Sequence, residues 1–217
     1  MTAPPRGLHL FGLGLRPADD ATLETLLALE RCEAVYHDLE DPRQRAWLEA
    51  VLPGARPAPS PEALVKQARV ASVGLALWGH PQHASELAAR AGEAARAAGL
   101  TPVFWPANSP LARAVASSAT FIGGREGHGG AISHPADALA ADPTRARPRL
   151  PLAVYHQRGG AELWASVASA LAPLYPMGHQ VFAVPCVGEA RRLPLARLEE
   201  LGGGGVVLVL PAKGRKR

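Results

Sequence analysis

The sequence predicts an α/β protein made of two α/β domains with mainly parallel sheets, and three observations carry that expectation. Apolar strand-length runs alternate with helical patterns in both halves of the chain. The run "ASVGLALWG", residues 71–79, is almost continuously apolar, as expected of a strand covered on both faces in a parallel sheet. Between Gly123 and about Arg149 the periodicity lapses into a stretch rich in glycine, proline and charge. These features divide the chain into an N-terminal α/β domain over 1–122, a linker over 123–149 and a C-terminal α/β domain over 150–217. The linker is long for a compact protein.

Residues 7–12 read as a short buried strand. A helix follows in "DDATLETLLALERC", with Leu23, Leu26 and Leu27 on one face and Asp19 or Asp20 as its N-cap. "EAVYHD" is the second strand. "PRQRAWLEAVLPG" and "PEALVKQAR" are helices, the first opened by Pro42. After the strand at 71–79, "ASELAARAGEAARAAG" places Leu87, Ala91, Ala94, Ala95 and Ala98 at helical spacing, with Gly99 set to end the helix. "LTPVFWP" is the next strand, and "SPLARAVASSA" is a helix with Ser109 as N-cap and Pro110 at the first helical position. In the second half, "LPLAVYH", "HQVFAVPCV" and "GVVLVLP" read as strands, and "GAELWASVASALAPLY" and "LPLARLEEL" as helices.

With 217 residues, 47% hydrophobic and only 5% aromatic, the chain can bury a sizeable core of small side chains. The formal net charge of +4 is dispersed apart from Lys213, Arg215, Lys216 and Arg217 and the group Arg145, Arg147 and Arg149. Both groups read as solvated surface, so no nucleic-acid partner is expected. Cys32 and Cys186 form neither a metal spacing nor a disulfide framework, which points to a reducing cytoplasm. The opening apolar run is too short for a signal peptide. No stretch reaches the roughly 20 apolar residues of a membrane helix, so a soluble protein is expected.

Ligands of open parallel sheets bind outside the carboxyl ends of the strands. Six groups of residues fall there: Gly12-Leu13-Gly14, Tyr36-His37-Asp38, Trp78-Gly79-His80-Pro81, Pro106-Ala107-Asn108-Ser109, Tyr155-His156-Gln157 and Val184-Pro185. A dinucleotide loop would need glycine at position 17, where Pro17 stands, so pyrophosphate binding is disfavoured. A plain tight turn accounts for Gly12 and Gly14 equally well at this level. His80 and His83 are split by proline and lack an acidic or thiol companion, so no metal is expected. The G-x-S-x-G elbow of serine hydrolases is absent. His37, His80, Tyr36 and Tyr155 are the candidate bases.

In their order and spacing these residues resemble the S-adenosylmethionine-dependent methyltransferases of the tetrapyrrole (corrin and porphyrin) methylase superfamily, over nearly the whole chain. "LHLFGLGLRPADDATLETLLALERCEAVYHD" is similar to that family's first strand, glycine loop, helix with an early threonine (here Thr22) and second strand. "LALWGHPQHAS" resembles its third strand and G-D-P turn, with His80 where aspartate is commoner. "FWPANSPLARAVASSA" resembles its P-G-x-S element, with Ala107 in place of glycine. G-H-P and "VYHDLEDPRQRAWLEAVLPGARP" are most similar to the borosin branch, whose members N-methylate peptide backbones.

The resemblance implies S-adenosylmethionine held in a cleft between the two domains, commonly in a homodimer, with a peptide or small molecule as methyl acceptor. It assigns Gly12, Gly14, Trp78, Gly79, His80, His83, Ser109, His156 and Ala183 to the cofactor, and Tyr36 and Arg56 to the acceptor. The borosin pattern has one tyrosine four residues after the arginine and another just before G-H-P. Here those positions are Ser60 and Trp78. The alternative is a catalytically degenerate methylase fold serving as a binding or scaffold partner.

Overall fold

All six residues of β1 (Gly7–Gly12) are buried, because apolar side chains on both faces of this strand meet covering helices. In the computed structural model, which describes residues 3–81, 85–105, 107, 112, 114 and 132–211, the chain divides into two compact units, Met1–Ser109 and Pro110–Arg217. No helix among the described residues is long and apolar enough to cross a membrane.

The first unit joins β1 to β2 (Ala34–Asp38), β3 (Arg56–Pro57), β4 (Ser72–Leu77) and β5 (Val103–Trp105) in the order β3-β2-β4-β1-β5. Every pairing is parallel, with Leu10 opposite Leu75 and Leu75 opposite Tyr36. The helices are α1 (Pro17–Asp20), α2 (Leu23–Glu30), α3 (Pro42–Val51), α4 (Pro61–Ala68) and α5 (Glu86–Ala97). Leu8, Leu10, Leu75 and Leu77 pack against Leu64 and Val65 of α4 and against Ala88, Ala91 and Ala95 of α5. Each leucine so buried contributes about 1.5–3 kcal/mol. The alanine stripe allows α5 to lie close to the sheet. Helix α5 starts where Ser85 Oγ accepts from the Ala88 amide. It ends in a Schellman turn, with Gly99 at φ +76° and the Leu100 amide donating to the Ala95 carbonyl.

The region before α2 differs from expectation. Thr22, not Asp19 or Asp20, caps α2, by accepting from the Thr25 amide. Asp20 is instead buried and accepts from the Arg16 amide at 2.9 Å, closing the extra turn α1. With the start shifted, the inward face of α2 is Thr25, Ala28 and Leu29, and Leu23 is 72% exposed. Gln44 and Leu48 are the buried residues of α3.

The second unit has the order β6-β7-β10-β8-β9, from β6 (Ile132–Pro135), β7 (Leu152–His156), β8 (Gln180–Pro185), β9 (Arg191–Pro194) and β10 (Gly205–Val209). Helices α6 (Ala136–Ala141) and α7 (Ala161–Leu171) and a 3-10 helix at Leu195–Leu201 complete it. Trp164, Val167 and Leu171 of α7 meet Leu152, Val154, Val207 and Val209 in its core. The stretch 123–149, expected as a linker, contributes β6 and α6 from Ile132 onward. Parallel pairing, which holds throughout the first sheet, occurs here only between β6 and β7; the other three pairings are antiparallel. The cause is local. The short connection between β8 and β9, with Gly188 at φ +104°, closes a hairpin, and a hairpin makes its strands antiparallel.

Candidate functional site

At the carboxyl ends of β1 and β4 the two turns are stitched together. The Gly79 amide donates to the Gly14 carbonyl at 2.8 Å and the Gly14 amide donates to the Gly79 carbonyl at 3.3 Å. Both residues have left-handed backbone, at φ +81° and φ +71° respectively for Gly14 and Gly79. A Cβ on Gly14 would run into the side chain of Asp20, and one on Gly12 would lie 2.6 Å from both the Gly79 carbonyl and the Ala107 Cβ. The glycines therefore bring backbone against backbone. Leu13, whose amide donates to the Leu77 carbonyl, and Leu15 are fully buried.

Trp78 is 1% exposed and its indole Nε1 donates to the Leu15 carbonyl at 3.0 Å. This side chain braces the glycine turn from beneath. His80 follows Gly79, half-buried, and Pro81 packs on Gly12. Asp38 lies half-buried at the end of β2, where its Oδ2 accepts from Ser85 Oγ at 2.8 Å. Ser85 thus ties a carboxylate to the start of α5 while capping that helix. The sequence signal for it was its place just before the periodic run of α5.

Tyr36 and Arg56 come together, as directly opposed residues of β2 and β3. The Arg56 guanidinium lies 5.2 Å from the Tyr36 ring centroid and donates to the phenol oxygen at 3.3 Å. The phenol donates in turn to Gln67 Oε1 of α4 at 2.7 Å. Gln67, not singled out from the sequence, is the one polar member of this contact supplied by a helix. Ser60 accepts from the Ala63 amide and caps α4.

The remaining candidates separate. His37 faces α3 and is 2% exposed, with its pKa held below the ordinary 6.5 mainly by burial. Tyr155 is 8% exposed, and burial, then the nearby Asp137, pushes its phenol above the ordinary range. Both side chains are nearly sealed from solvent. In the second unit, His156 Nδ1 accepts from the Gly159 amide at 2.8 Å and the Arg158 amide at 3.1 Å, so the neutral ring carries its proton on Nε2. Ala183 sits in that unit's core with its side chain fully buried. His83, Pro106 and Ser109 lie outside the described residues. Among the described residues no three His, Cys, Asp or Glu side chains are grouped to hold a metal ion.

No protein-family model and no curated protein sequence matches the chain. Solved structures do. The methyltransferase CobJ superposes with a TM-score of 0.69 at 20% identity, over 98% of this chain and 97% of that one. The uroporphyrin-III-C-methyltransferase from Thermus thermophilus superposes with a TM-score of 0.71 at 19% identity, over 94% of each chain. The fold is that of the tetrapyrrole methylases. In this tetrapyrrole methylase fold the interlocked turns belong to the all-parallel sheet of the first unit; His156 ends β7 of the mixed sheet of the second.

Proposed function

We infer that this chain is an S-adenosylmethionine-dependent methyltransferase acting on a peptide or small-molecule acceptor. The observation that carries this is the end-to-end likeness of both units to two methyltransferases, CobJ and a uroporphyrin-III-C-methyltransferase. The strand-end turns support it. A half-buried carboxylate, Asp38, stands at the rim of the same sheet end as a glycine turn whose Gly14 amide is committed to the Gly79 carbonyl. That combination suits a donor with cationic and hydroxyl groups and no phosphate.

Bound there, S-adenosylmethionine supplies a methyl group on a sulfonium centre. The chain's part is alignment, bringing an acceptor atom to about 3–3.5 Å from that methyl. Asp38 and His80 are the side chains that would hold the donor, and the turns at Leu13–Leu15 and Gly79 would form the floor against which it lies. Because Gly14 and Gly79 spend their amides on each other, they act by shaping the turn rather than by donating to a ligand. Arg56, exposed and with only one of its donors on Tyr36, keeps N–H groups for an acceptor carbonyl or carboxylate. The Tyr36 proton is committed to Gln67, so Tyr36 acts as a fixed dipole holding Arg56 in place.

Backbone N-methylation of the borosin kind is the narrower form of this proposal, and Arg56 is the residue it shares. Ser60 as a helix cap and Trp78 as a buried brace occupy the two tyrosine positions, which favours another acceptor. One observation favours the scaffold alternative: the space over Gly12 is filled by Pro81 and Ala107. Calorimetric titration with S-adenosylmethionine and its demethylated product separates the two. Saturable micromolar binding supports the methyltransferase; absence of heat at millimolar donor leaves the scaffold.

A further inference from the structure

Strand β2 and helix α3 each hold a buried polar side chain without partners. His37 is 2% exposed and neither ring nitrogen has a hydrogen-bond partner. Gln44, 7% exposed on the first turn of α3, has both amide atoms unpartnered as well. Buried polar atoms are almost always hydrogen-bonded, so two such side chains touching one helix set it apart from its neighbours. The apolar hold on this helix comes from Leu48, its one buried apolar residue, with half-buried Trp47 beside it and buried Leu52 at its C-cap. By contrast, α4 and α5 are anchored by Leu64 and Val65 and by an alanine stripe.

The charged groups facing the imidazole are few. Glu49 of α3 brings Oε1 to 3.6 Å from Nε2, within ion-pair distance of a protonated ring, with its own side chain 52% exposed. Arg45 on the same helix and Asp38 on β2 are the other charges that act on it. The flanking strands present Pro57 and Ala76 opposite His37, with no charge. A neutral ring fits under α3; a cationic ring there would gain Glu49 at 3.6 Å and the more distant Asp38, but would lose its hydration and meet Arg45, and the loss of hydration is the largest of these effects.

From this geometry we propose that His37 is a proton-operated catch, over which α3 closes while the ring is neutral and from which α3 lifts when the ring is protonated. The occupant of the site is thus a proton, admitted with water when the helix opens. The direction agrees with the burial effect on this histidine. Its affinity for protons is lower closed than open, so acid favours the open form, and the closed form gains as pH rises past the closed-state value. The chain leaves β2 at Asp38, which ties to Ser85, and enters α3 after Asp41, so the catch lies one residue from the candidate site. The inference rests on the first unit alone and is independent of the methyltransferase reading.

Hydrogen exchange of the full-length chain from about pH 5 to pH 8, corrected for intrinsic rates, tests it. The expected result is that protection of amides in 46–51 falls severalfold at the acid end while protection in α5 does not change. His37→Phe is expected to abolish the acid step and keep α3 protected. If His37→Phe does not fold, His37→Gln serves, with the same loss of the acid step. Glu49→Gln, which removes the nearest countercharge, moves the step to lower pH. Exchange in α3 that parallels α5 at every pH overturns the proposal, as does an acid step that persists without the imidazole.

Discussion

Gly14 and Gly79 exchange both of their backbone hydrogen bonds, so the turns that follow β1 and β4 form a single interlocked unit. The consequence is that these glycines are fixed by protein geometry before any ligand arrives. Gly14→Ala places a Cβ on Asp20 at a backbone angle alanine resists, at φ +81°. We expect a loss of about 3 kcal/mol or more. Gly99→Ala, at φ +76° but with open space around it, costs only about 1 kcal/mol. Urea unfolding of the two variants checks the contrast; equal losses would contradict the close packing of Gly14 on Asp20.

Trp78 braces the same turn through Leu15. Trp78→Phe deletes that hydrogen bond, leaves the Leu15 carbonyl unpaired and opens a void, for an expected loss of about 1–3 kcal/mol. Hydrogen exchange should show the loosening concentrated at 13–16. Uniform loosening across the first unit would argue against a brace.

Glu33 accepts from the Ser72 amide at 2.7 Å and from Ser72 Oγ, and these bonds hold its pKa below the ordinary 4.5. A carboxyl with a depressed folded-state pKa contributes stability above its unfolded value, and that contribution fades as pH falls through the folded value. Glu33→Gln is therefore expected to be less stable than the parent chain at neutral pH, with the gap closing below pH 4.5. Thermal melts across that range supply the comparison, and a gap independent of pH would show that the ionised form is not what matters.

Burial, with a smaller push from Glu33, raises the Cys32 thiol to about 12. The thiolate is the reactive form, so Cys32 should resist alkylation near pH 8 in the folded protein and react once denatured. Peptide mapping after iodoacetamide treatment reads this directly, and rapid native labelling of Cys32 would contradict its burial.

Much of the first unit was legible because strong local signals agreed with the tertiary outcome. The apolar run of β4, the alanine stripe of α5 and Gly99 as its stop each say the same thing at both levels. Tyr36 and Arg56 were singled out together only through the family resemblance; their pairing across β2 and β3 and their link to Gln67 were not legible, since β3 is two residues long and α4 reaches β2 only through the fold. The start of α2 was misplaced because aspartate and threonine are both good caps, and tertiary burial of Asp20 decided between them. In the second unit the strand β9 was hidden. Its "RRLP" has one buried apolar residue, Leu193, so neither length nor alternation announced it. Without that hairpin, strand and helix alternation implied parallel pairing. The close packing around Gly12 was not legible, because its neighbours Gly79, Pro81 and Ala107 are distant in sequence.

The most direct measurement is a titration of the isotope-labelled chain with S-adenosylmethionine, followed by backbone amide NMR. The account predicts saturable shifts at micromolar donor, concentrated at Leu13–Leu15, Asp38, Gly79 and His80. Amides that stay unmoved up to millimolar donor, or that move only far from those strand ends, would contradict it.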